Sequence, residues 1–274
     1  MPHDNYAEIK AINWSSLKYL RTSPKLYRYR LTNPEPPKPH FVIGNAIHCL
    51  VLEPSEFATR YAVCDVVRNA KHAKYKEWME AHPHAEALKP AEMAMVREAA
   101  GAIMEDPHAG KWIRNTRHEE SIAWTDPVSG LQCKGRLDGI TPDRVLDLKT
   151  IGWSISDEKP DRETGKLLYH GQLAMYHDGA VAAGKIPKDA EPPVIVFAEK
   201  EPPFDVGVLH MSDEDLAAGR YVYRDLIARL QVCLETDRWH GAIPEPRPLY
   251  LPDWTPGIRE VRDAAALGVK DEVF

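Results

Sequence analysis

The sequence predicts a mixed α/β fold: a central mixed β-sheet with a three-strand meander, flanked by helices, and extra helices at the N-terminus. Three observations predict it: strand-like segments separated by turn chemistry between Glu119 and Thr150, helical apolar spacing on both sides of that block, and a long capped helix pattern from Asp213 to Thr236. No internal repeat or low-complexity run competes with this reading.

In chain order, Asn13-Trp14-Ser15-Ser16-Leu17 reads as a helix start capped by Asn13 or Ser15, and Ser23-Pro24 restarts a short helix through Lys25–Leu31. The Pro-rich stretch 34–39 ends it. Phe41–Leu52 is an almost continuous apolar run ending at Glu53-Pro54, the pattern of a buried helix. Helical character returns at Glu77-Trp78-Met79, and Met93, Val96, Ala100, Ile103 and Met104 keep helical spacing until Pro107. Ser121–Trp124, Leu131–Ile140 and Val145–Thr150 are strands joined by Asp126–Gly130 and Thr141–Arg144, which have turn chemistry. A helix over about 165–183 follows, then strands near Pro193–Glu199 and Val206–Met211. The helix Asp213–Thr236, capped by Ser212, closes the fold, and the tail beyond Trp239 reads as irregular.

With 43% hydrophobic and 28% charged residues in a chain of 274, disordered and fibrous classes are excluded. The division expected is a basic helical segment 1–40 packed on a core 41–240, then a Pro-rich tail 241–274, forming one domain. No run of roughly 18 apolar residues occurs, so no membrane association is expected, and the N-terminus has no basic start followed by an apolar run. Cys49, Cys64, Cys133 and Cys233 are scattered without a C-x-x-C pair, which signals neither a zinc ribbon nor a disulfide framework and fits a reducing cytoplasm. The net charge of −6 argues mildly against a nucleic-acid partner, but its distribution does not: residues 1–40 carry a net +4, leaving −10 for the rest. Lys18, Arg21, Lys25, Arg28 and Arg30, together with Arg68, Lys71, Lys74 and Lys76, could follow a DNA backbone, with interleaved tyrosines to stack on an unpaired base.

The residues that carry chemistry are Asp138, Asp147 and Lys149. In Val145-Leu146-Asp147-Leu148-Lys149 the side chains alternate, so Asp147 and Lys149 share one face about 7 Å apart while the leucines enter the core. A turn centred between residues 142 and 143 pairs Asp138 with Asp147, at about 5 Å between Cβ atoms; a slip by one residue stays open. Two like charges there call for a cation, and a hard oxygen site suits Mg2+ or Mn2+. A metal beside a lysine points to phosphodiester hydrolysis.

Arg136-Leu137-Asp138-Gly139 followed by Asp147-Leu148-Lys149 resembles the signature of the PD-(D/E)xK nuclease superfamily, with Leu137 where a Pro is usual. Three further matches resemble its exonuclease VIII-like branch of phage-type recombination exonucleases: Gly44-Asn45-Ala46-Ile47-His48 with Leu50–Pro54, Gln172-x-x-x-Tyr176, and Glu119-Glu120-Ser121-Ile122. The resemblance spans most of the chain and implies a restriction-endonuclease-like core. It implies that His48, Asp138, Asp147, the Leu148 carbonyl and Glu119, or else Glu120, hold Mg2+ or Mn2+, that Lys149 orients the attacking water, and that Gln172 and Tyr176 support the site. The implied activity is ATP-independent 5′→3′ digestion of linear double-stranded DNA ends, in the cytoplasm of a bacterial or phage-infected cell. The 3′ tails so made would serve a single-strand annealing protein, and a ring-shaped homo-oligomer is implied. The lack of a Gly-x-x-x-x-Gly-Lys-Ser/Thr loop agrees with ATP independence. Two alternatives remain: a CRISPR- or helicase-associated nuclease, whose clasping cysteines these four do not resemble, and an inactive DNA-binding or assembly protein on the same fold.

Overall fold

The computed structural model describes residues 6, 8–36, 41–69, 71–156 and 158–266. The end of the Pro-rich stretch, 37–39, and the last eight residues of the tail lie outside them.

Helix α1 (Trp14–Leu17) is capped by the Asn13 side chain, which accepts from Ser16 N–H, and runs into a 3-10 turn, Lys18–Arg21. Ser23 caps α2 (Pro24–Thr32) in the same way, with Pro24 at the first position. The apolar run forms α3 (Phe41–Leu52), with buried residues on every side. Then come α4 (Pro54–Arg60), β1 (Tyr61–Val63), α5 (Ala73–Ala81), β2 (Glu86–Leu88), α6 (Pro90–Glu105) and α7 (Ala109–Arg114). The meander is β3 (Arg117–Thr125), β4 (Gln132–Ile140) and β5 (Val145–Ile151). Helices α8 (Lys159–Leu167) and α9 (Tyr169–Ala182), strands β6 (Val194–Glu199) and β7 (Val206–His210), and helices α10 (Asp213–Thr236) and α11 (Ile258–Ala266) complete the chain. Ser212 and Asp215 close a capping box on α10.

The five-stranded sheet has the order β3-β4-β5-β6-β7, mixed because β5 and β6 are parallel and the other neighbours antiparallel. β1 and β2 form a separate parallel pair. One apolar core lies between the sheet and the layer of α1, α2, α9 and α10, with Leu17, Leu173, Phe197, Tyr223 and Leu226 among its members. The other, with Ile47, Val96, Ile103, Leu146 and Leu148, joins α3, α6 and α7 to the opposite face.

Three expectations change. The helix over 165–183 is two helices broken at Leu168, whose φ of 59° is left-handed and cannot continue either helix. The first meander strand extends back to Arg117 because it pairs with all of β4. The tail holds a helix, Ile258–Ala266, beyond its prolines. All four cysteines are free and buried. Among the described residues no helix is long and apolar enough to cross a membrane.

Candidate active site

Three adjacent strands bring three acids into one row. The β4–β5 ladder pairs Gly139 with Leu146 and Ile140 with Val145, the register that sets Asp138 opposite Asp147. The ladder stops there, because Asp138 Oδ2 accepts from the Leu148 backbone N–H at 2.8 Å. On its other side, β3 pairs His118 with Gly139 and Glu120 with Leu137 but skips Glu119, which stands opposite Asp138 at φ 54°. A non-glycine residue in that region marks local strain. Both strands exchange faces at this point. Ile122 and Leu137 pack into the α9-side core, whereas a Cβ on Gly139 would meet Leu146 of the other core and His118 Nδ1 lies 3.1 Å from Leu52 O of α3. The twist leaves the Asp138 carboxylate between the two layers, within reach of both.

From one layer comes His48. Gly44, one turn earlier on α3, lets the helix approach β5 so closely that a Cβ there would lie 2.7 Å from Thr150 Oγ1. His48 Nδ1 is 4.0 Å from Asp138 Oδ2, and its ring bonds to the Leu148 backbone. Burial, and next the Lys149 ammonium, push the imidazole down to about 4, so it is neutral and a competent ligand near pH 7. From the other layer come the α9 groups. Lys149 Nζ is 2.7 Å from Asp147 Oδ2, 3.2 Å from Gln172 Oε1 and 4.8 Å from the Tyr169 ring centre. Tyr176 is buried, shares a hydrogen bond with Gln172, and fits against β4 because residue 135 is glycine.

Burial raises Asp138 and carries Asp147 up to about 6, the latter also through repulsion by Asp138. Burial, and next Asp138, carries Glu119 up to about 7, although the Arg136 guanidinium beside it pulls the other way. Burial works against the Lys149 ammonium, but Asp147 and Asp138 outweigh it and its pKa is raised. The donor chemistry therefore fits a hard divalent cation: oxygen ligands held together against their own repulsion, with a neutral imidazole at the edge. Among the described residues no three His, Cys, Asp or Glu side chains already stand as a metal-holding group. Lys149 engages Asp147 and Arg136 engages Glu119.

Glu119 and Glu120 part company: Glu120 turns to Lys185 Nζ at 2.5 Å, while Glu119 faces Asp138. A linkage that no sequence spacing announces holds Glu119 in place. Arg136 bonds both Glu119 and Glu53 Oε1, the latter at 3.2 Å, and Arg60 holds Glu53 through two contacts of 2.8 and 3.2 Å. The signal available was an acid directly after an apolar helix and an arginine two residues before Asp138.

The basic candidates divide. Arg28 pairs with Asp237, Arg30 with Glu35 and Arg68 with Glu92, and Arg21 donates to Lys166 O. Lys18 also has a partner, whereas Lys25, Lys71, Lys74 and Lys76 have no side-chain partner among the described residues.

Residues 13–242 match the family described as "PDDEXK-like domain of unknown function (DUF3799)". A crystal structure described as a "Putative exonuclease" from Eubacterium rectale aligns with a TM-score of 0.60 at 16% identity, covering 94% of this chain and 99% of that one, a likeness of fold. The structure of SSO0001 aligns over 69% of this chain and 87% of that one at 17% identity, with a TM-score of 0.29. No curated protein matches the chain.

Proposed function

For a chain that belongs to the PDDEXK-like domain family DUF3799, we propose the activity of a divalent-metal-dependent, ATP-independent exodeoxyribonuclease acting on the ends of linear double-stranded DNA. The family and the fold of the Eubacterium rectale neighbour support a nuclease. The observation that carries the reading is the cross-strand row Glu119, Asp138, Asp147, with Lys149 on the last of them and His48 approaching from α3.

In this reading Asp138, Asp147, His48, the Leu148 carbonyl and Glu119 hold Mg2+ or Mn2+. Bound there, such an ion would polarise a phosphoryl oxygen and lower the pKa of a bound water. Lys149 orients the water whose oxygen bonds to phosphorus as the P–O3′ bond breaks, and offsets the charge developing there, the products being a 5′-phosphate and a 3′-hydroxyl. Gln172 and Tyr169 keep the ammonium from swinging away. Digestion runs 5′→3′ and leaves 3′ tails for a single-strand annealing protein, and a ring of identical chains around the duplex is the proposed assembly.

The test is incubation of the protein with linear, nicked and closed circular duplex, with Mg2+ or with EDTA. Loss of linear DNA alone, and with metal alone, is expected. Cutting of closed circles would replace the exonuclease with an endonuclease. Lys149→Ala is expected to lower cleavage by about 100-fold or more while retaining DNA binding. Unchanged cleavage by that variant overturns the role given to Lys149.

A further inference from the structure

Resting on the nuclease reading above, we propose that helix α5 carries a binding site for single-stranded DNA, the strand that remains when a duplex end is digested. α5 is a nine-residue helix in which no residue is buried. Tyr75, Trp78 and His82 nevertheless form an ordered row along it. The Tyr75 and Trp78 rings are 6.0 Å apart at 4°, and those of Trp78 and His82 are 4.6 Å apart at 18°. Trp78 Nε1–H donates to Val63 O of β1 at 2.9 Å, which fixes the row in place.

The surroundings select the ligand. Val63, whose carbonyl Trp78 meets, is 44% exposed, and Met79, next to Trp78 in the helix, is 40% exposed. At about 100° per residue, Lys74 falls about 70° from the mean direction of the Tyr75 and Trp78 rings, Lys76 and Glu77 about 130° on its two sides, and Glu80 nearly opposite it. Lys71, Lys74 and Lys76 have no side-chain partner among the described residues, unlike Arg68, which is spent on Glu92 and the Ala87 carbonyl. A ligand that matches must offer flat apolar faces and a chain of negative charge together. Unpaired DNA does so, with a base continuing the ring row on Tyr75 and phosphates meeting the lysines. A duplex keeps its base faces inside its own stack.

The test measures anisotropy of a labelled 20-nucleotide oligo(dT) and of a duplex of equal length, with the full chain in EDTA. Tyr75→Ala is expected to weaken oligo(dT) binding by about 5- to 100-fold, and Tyr75→Phe to stay within about two-fold of wild type. Joint Lys71→Gln, Lys74→Gln and Lys76→Gln substitution, at exposed positions that leave the fold intact, is expected to lower the slope of log Kd on log salt by about 2. Duplex binding is expected to change little in every variant. Absence of oligo(dT) binding by wild type, equal affinities across the variants, or equal losses for duplex and single strand each overturn the site. Binding is read without metal, so its failure and failure of the nuclease assay are separate outcomes.

Discussion

At Glu119 the backbone and the charge tell one story. A left-handed glutamate interrupts β3 opposite Asp138, and its carboxyl is lifted to about 7 by burial and by that neighbour. An acid whose pKa is higher folded than unfolded binds more protons in the native state between the two values, so stability falls as pH rises from about 4.5 to about 7. Asp147, lifted to about 6, acts in the same direction over a lower window, and His48, lowered to about 4, acts in the opposite one below 6.5. Glu119→Gln removes only the first of these. In EDTA, urea unfolding is expected to show Glu119→Gln gaining on wild type by on the order of 1–2 kcal/mol between pH 5 and pH 8, less than the full shift implies because the group is partly solvated. A constant difference across that range would mean that Arg136 keeps Glu119 ionised throughout.

At the scale of elements, the site depends on how closely α3 sits on β5. Gly44 faces Thr150, whose Oγ1 a Cβ there would approach to 2.7 Å, and His48 rides one turn further along the same helix. Gly44→Ala is expected to destabilise by about 1–3 kcal/mol through overpacking and to displace His48, with Thr150→Ala restoring most of both because it removes the opposing atoms. Urea midpoints of the two single variants and the double variant check this; additive losses would show that the close approach is not the cause. The same scale explains what was legible in the sequence. The Ser23 and Ser212 caps and the meander turns follow from local chemistry and stand where the residues put them; of the open choices, the structure takes Asn13 rather than Ser15 as the first cap and the 138/147 register without a slip. The break at Leu168 and the face exchange at Glu119 and Asp138 had no signal, because left-handed leucine and glutamate are set by tertiary packing rather than by propensity. The Arg60-Glu53-Arg136-Glu119 linkage joins α4, α3's end, β4 and β3, a long-range match that no spacing rule announces.

For the whole molecule, the charge of −6 and the basic first forty residues looked separable in sequence. Folding mixes them. Arg28 of α2 meets Asp237 beyond α10, and Arg30 meets Glu35, so part of the N-terminal basic charge is spent inside the chain. The acids that matter are gathered between two apolar layers, where desolvation and mutual repulsion work against the folded state. A cation that binds this row stabilises the native molecule by RT ln(1 + [L]/Kd), about 2.7 kcal/mol at a hundred-fold excess over Kd. That corresponds to a rise of several degrees in Tm for a chain of this size. Protons compete for the same oxygens, with Asp147 near 6 and Glu119 near 7, so the Mg2+-induced rise is expected to be larger at pH 8 than at pH 5.5. Asp147→Asn is expected to abolish most of it at pH 8. Thermal unfolding at matched ionic strength with Na+ as control separates site binding from screening. A rise of equal size with Na+, or in Asp147→Asn, would place the cation on the acidic surface and not in the row between the strands.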